Sequence, residues 1–129
     1  MRAVFTFTPA ESKRLIARGV AQCTPVVEAL ENAYVVIAGG TTNGFIAQEL
    51  GGLDVDPEAF TAGTSSQRVL CVTPAAQRDD RIPIVLYKGE RVERTMAEVF
   101  EDFHLDTVVI KGANAVDSDG NLGVITSGF

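Results

Sequence analysis

The chain has 129 residues, enough for one domain with a real core and too few for two. A hydrophobic fraction of 46% and a charged fraction of 22% are those of an ordinary globular protein. Eleven Lys and Arg against seventeen Asp and Glu give a net charge of −6, which argues against general nucleic-acid binding because no basic patch can be assembled cheaply. Met1 to Ala10 has no basic segment followed by an apolar one, and no run approaches membrane-spanning length. The expected location is the cytoplasm, with no membrane partner. Cys23 and Cys71 lack metal-like spacing and read as buried thiols in a reducing compartment.

Arg2 to Thr8 alternates and is rich in Val, Phe and Thr, which fits a strand or a mobile lead-in. Thr8, Pro9 and Glu11 form a capped helix start. In the helix that follows, Leu15 and Ile16 are expected inward and Lys13, Arg14 and Arg18 outward, and Gly19 ends or weakens it. Thr24 and Pro25 open a second helix to Asn32, with Val26, Val27, Ala29 and Leu30 as its buried side.

The central stretch is Tyr34 to Gly51, YVVIAGGTTNGFIAQELG. It reads as a buried strand (Tyr34 to Ala38), a turn from Gly39 to Asn43, and a helix from about Gly44 to Leu50. A short β-branched run fits a strand covered on both faces, as in a parallel sheet. Gly39 and Gly40 allow a sharp turn. The orphan amides of the next helix, its dipole and the hydroxyls of Thr41 and Thr42 then offer a place for a phosphate or carboxylate. A tight turn without a ligand is the alternative.

Leu53 to Gln67 reads as a loop with one turn of helix near Pro57 to Thr61, and a loop of this length in a compact domain is functional or mobile. Arg68 to Thr73 and Ile82 to Tyr87 are strand-like, joined by a polar connection from Pro74 to Arg81. Pro83 marks an edge strand or a strand that begins just after it. Thr95 to Phe103 is a helix by period, with Met96, Val99, Phe100 and Phe103 inward and Glu98, Glu101 and Asp102 outward. Asp106 to Lys111 is a second buried strand. It runs into a Gly-, Asn- and Asp-rich turn from Gly112 to Gly123, after which Leu122 to Thr126 returns as a short strand. The chain stops directly after a turn signal, so the expectation is a fragment or a sheet completed by a partner chain.

Lys111, at a strand end beside Gly112, is a candidate phosphate partner or nucleophile if the ends of the two strands face one crevice. A solvated lysine is the alternative. Asn114 offers a hydrogen bond to a sugar hydroxyl or merely holds the turn. Asp117, Asp119 and Asn121 lack the following glutamate of a calcium loop. His104, the only histidine, suits a helix C-terminus, and Ser65 and Ser66 have no nearby base. No metal site and no cofactor are expected.

The order of elements, with IAGGTTNGFIAQEL followed later by IKGANAVDSDGNL, resembles the superfamily of ribose-5-phosphate isomerase, glucosamine-6-phosphate deaminase and the CoA transferases. The first motif is similar to the isomerases' glycine-threonine phosphate turn, and equally to that of sugar-phosphate-sensing repressor domains. The second is similar to the isomerases' aspartate-rich turn. Lys111 and Asn114 stand where the isomerases have their first two active-site aspartates, and Asp117 matches the third. The resemblance implies an α/β fold in three layers, a mostly parallel sheet with flanking helices. It implies an anionic small-molecule partner (sugar phosphate, nucleotide or CoA type) held by Gly39, Gly40, Thr41, Thr42, Asn43, Gly44, Gly112 and Asn114. If the protein is an isomerase or transferase, Lys111 and Asp117 are its catalytic candidates. It also implies a homo-oligomer. The alternatives are a metabolite-binding domain without turnover, and an interaction domain whose turns bind nothing.

Overall fold

In the computed structural model the described residues are 2–66 and 69–124. The chain runs α1 (Pro9–Ala21), α2 (Thr24–Asn32), β1 (Tyr34–Ile37), α3 (Thr41–Gly51), β2 (Gly63–Ser66), β3 (Val69–Val72), a 3-10 turn (Ala75–Gln77), β4 (Ile84–Tyr87), β5 (Glu90–Val92), α4 (Met96–Phe100), β6 (Val108–Ile110), β7 (Ala115–Val116) and β8 (Leu122–Gly123). The earlier expectations for Gln67, Arg68 and the end of the chain from Ile125 lie outside the described residues, as do the side chains of Ser65 and Ser66.

The expected three-layer, mostly parallel sheet is not what forms. The main sheet has four strands in the order β5-β4-β1-β6, and two separate ribbons, β2-β3 and β7-β8, stand apart from it. Only β1 and β6 are parallel; β4 runs antiparallel to β1, with Ile37 opposite Ile84. The cause is the route between them. After α3 the chain returns along Leu53 to Phe60 to the far end of β1, where the Phe60 carbonyl accepts the Gly40 N–H at 2.6 Å. The β2-β3 ribbon leaves and comes back to the same place, closed by Thr73 N–H to the Ala62 carbonyl and Asp79 N–H to the Ala59 carbonyl. The chain therefore enters β4 beside the end of β1 rather than its start, and the strand must run the other way.

β1 is the buried centre, with Val35, Val36 and Ile37 fully covered. Val35 and Ile37 face a core built with Ala17, Ala29, Ile46, Ala47, Phe60 and Leu86. Tyr34 and Val36 face a smaller one with Val85 and Val99. β4 starts directly after Pro83 and is an inner strand, since the proline precedes the ladder. Asp106 to Lys111 was expected to be buried, but β6 is an edge strand with Val109 47% exposed.

α1 has the capping box expected of Thr8 and Glu11, and it continues through Gly19. Its buried side is not the expected one. Leu15 and Ile16 are exposed, while Ala17 is covered and Lys13 and Arg14 are half-buried. The small Ala17 lets α1 approach the core closely. Arg14 lies over the Phe45 ring at 4.6 Å and donates to Gln48 Oε1 at 2.6 Å, so its stem and planar head serve as packing surface. In α2, Val26 and Ala29 are buried and Val27 is exposed. α4 is one short turn capped by Thr95 and Glu98; it buries Val99 but leaves Met96 and Phe100 exposed. Arg2 to Thr8 takes no strand partner among the described residues, and Cys23 and Cys71 are exposed rather than buried.

Candidate functional site

Two features converge on the C-terminal end of β1. The first is the turn into α3. Gly40 has φ +151°, a conformation that disfavours any side chain, and it sets the helix to start at Thr41, earlier than the expected Gly44. The N-cap supplies no side-chain hydrogen bond, so the first turn of α3 is uncapped. Gly44 is required by packing: a Cβ there would lie 2.6 Å from Pro57 Cα. Asn43 is buried, and its amide nitrogen donates to the Ala38 carbonyl at 2.7 Å and to the Ile110 carbonyl at 3.2 Å. It ties the end of β1 to the end of β6. Of the glycine-threonine turn, Thr41 and Thr42 are half-buried, as are Gly39 and Gly40.

The second feature is a cleft of about 1030 Å³ over that helix start. Thr41 and Phe45 of α3 form one wall and Thr8 to Ala10 with Lys13 of α1 another. The segment from Asp56 to Ala59 and the β3 side of the ribbon, Cys71 to Pro74, complete it. Thr61, also lining it, has its hydroxyl bonded to the Gly63 carbonyl at 2.8 Å, which fixes the start of the ribbon. Lys13 brings the wall's cation; Asp56 and Glu58 bring two carboxylates, and the Asp56 Oδ1 already accepts the Glu58 N–H at 2.9 Å.

The second glycine-rich turn is built differently. Lys111, Gly112, Asn114 and Asp117 are all exposed and none of them lines the cleft. Lys111 Nζ donates to the Gly112 carbonyl at 3.0 Å. The Asp117 carboxylate accepts the Asn121 side-chain amide at 2.7 Å and the backbone N–H groups of Asn121 and Asp119. The Asn121 side chain, and then these backbone donors, hold its pKa below the ordinary carboxylate range. This describes a polar turn closing the β7-β8 ribbon, with Asn114 N–H on the Gly123 carbonyl at 2.8 Å. The strand ends do lie side by side, as the crevice reading required, but Asn43 fills the junction between them.

Sequence reasoning set Thr41 in the turn and Lys13 on the outward face of α1; both line the cleft. The cleft residues it missed, Phe45 and Val72 among them, come from four separate segments. The usable signal was the length of the loop from Leu53 to Gln67. Among the described residues no group of three or more His, Cys, Asp and Glu is placed to hold a metal ion. None of the described helices is long and apolar enough to cross a membrane. No family model matches the chain, and neither does any curated protein or any solved structure.

Proposed function

We propose that the cleft over the start of α3 binds a small molecule through an anionic group. The observation that carries this reading is that Thr41, the first residue of a helix without a side-chain cap, and Lys13 line one cleft of ligand size, about 1030 Å³. The anion sits at the first turn of α3, within reach of the Lys13 ammonium. The apolar walls, Phe45, Pro57, Val72 and Pro74, take the body of the ligand. Asp56 and Glu58 repel a bare polyanion and favour a molecule that carries hydroxyl or ammonium donors away from its anionic end. A monoanionic or phosphorylated polyol, or a nucleotide, has this chemistry.

The test is a thermal-shift screen of sugar phosphates, nucleotides, CoA esters and inorganic phosphate. It compares wild type with Thr41→Pro, Lys13→Ala and Lys111→Ala. Proline suits the first helical position, so Thr41→Pro removes one amide donor while leaving α3 formed. A ligand at about 100 times its dissociation constant stabilises by roughly 2.7 kcal/mol, several degrees in melting temperature. The shift should shrink in Thr41→Pro and Lys13→Ala and persist in Lys111→Ala. No shift with any compound, or a shift lost only in Lys111→Ala, would sink the reading.

A further inference from the structure

The main sheet ends at β6, and among the described residues no strand pairs with its outer edge. Alternation along the strand fixes which groups face outward. The Ile110 carbonyl accepts the Ala38 N–H at 3.0 Å, so Val108 and Ile110 direct their backbone groups at β1. Thr107, Val109 and Lys111 direct theirs away. The side chains follow the same alternation: Val108 and Ile110 pack on the helix-side core, while Val109 stands on the opposite face, 47% exposed. An open edge of this kind is a template for another strand.

Exposed apolar side chains continue beyond Val109 into the ribbon that follows β6, at Val116, Leu122 and Val124.

We propose that two copies of this chain join antiparallel through β6 about a two-fold axis, making one eight-stranded sheet from two four-stranded ones. The edge suits its own copy. Asp106 lies just before the strand and Lys111 just after it, so antiparallel pairing brings the acidic end of each copy beside the basic end of the other. A parallel arrangement would set like against like. The axis stands perpendicular to the sheet, so only residues of the same parity oppose one another. Centred on Val109, the two copies of that residue exchange both N–H···O=C bonds. The Lys111 N–H of each copy then donates to the Thr107 carbonyl of the other. Centring one residue earlier would need the Thr107 N–H, which already donates to the His104 carbonyl at 3.0 Å.

Sedimentation equilibrium of the full chain at micromolar concentration should return twice the 13.7 kDa chain mass. Val109→Pro removes an outward N–H and no bond to β1, so the fold is kept. Self-association should weaken at least about tenfold as two central hydrogen bonds are lost. In a Cys23→Ser, Cys71→Ser background, Val109→Cys should form a covalent dimer under mild oxidation, because opposed Cα atoms about 5.5 Å apart are within disulfide range. Thr107→Cys, which faces Lys111 of the second copy, should not. A folded wild type of monomer mass overturns the proposal. So does a dimer that Val109→Pro leaves unweakened and Val109→Cys leaves unlinked.

Discussion

The two glycine-rich turns begin side by side, one after Ile37 and the other after Ile110, and they end in opposite circumstances. In the first, Gly40 donates to the Phe60 carbonyl, Asn43 bridges the two strand ends and Gly44 lies against Pro57. The second closes a two-stranded ribbon on itself, and all its residues from Lys111 to Val124 are exposed. In sequence both look like ligand turns. What separates them is what the rest of the chain packs against them, which no local pattern records.

That contrast can be broken most sharply at the glycines. Gly44→Val should cost about 3 kcal/mol or abolish folding, because its Cβ meets the Pro57 backbone at 2.6 Å and neither partner can yield easily. Gly112→Ala meets nothing within 4 Å, and urea denaturation should place it within about 0.5 kcal/mol of wild type. If both behaved alike, the packed character of the first turn would be wrong. Next in size is Asn43→Ala, which leaves the Ala38 and Ile110 carbonyls without their side-chain donor; a loss of about 2 kcal/mol is expected. Hydrogen exchange should show β6 opening ahead of β4 in that variant.

Two carboxylates extend the comparison to acid. Asp79 is held below the ordinary carboxylate range chiefly by hydrogen bonds from the Arg81 side chain, and its own side chain is only 6% exposed. Its folded pKa is depressed, so its contribution to stability is full above the unfolded value, about 3.9, and is lost as pH falls through the folded value. Asp79→Asn should cost about 1 kcal/mol at neutral pH and flatten the acid limb of the stability curve. Asp117 is depressed too, by Asn121, but it sits in the exposed turn. Carbon-detected titration should find both carboxyls ionising low, while Asp117→Asn leaves the melting temperature unchanged within error. An acid limb that survives Asp79→Asn would move this role to another group.

Much of the local structure was legible before any coordinates. The Thr8-Glu11 box names the start of α1 because the capping chemistry is complete within four residues. β1 and the strand start after Pro83 were also visible, from β-branched runs and a residue that cannot donate. Helix faces were less reliable. Leu15 and Ile16 look like an inward pair, but α3 meets α1 on the side of Ala17, where Arg14 supplies the packing surface over Phe45.

The sequence by itself determined elements whose causes are local: the Thr8-Glu11 cap, the glycine turn after the central strand, and the buried central strand itself, whereas the helix start at Thr41 came from the backbone that Gly40 adopts. Only the tertiary structure decided the direction of β4, which depends on where the excursion between Gly51 and Ile84 through the ribbon returns to the sheet. It also decided that Lys13 rather than Lys111 shares a cleft with Thr41. Strand direction and shared walls join residues far apart in the chain, and a pattern read a few residues at a time carries no term for such contacts.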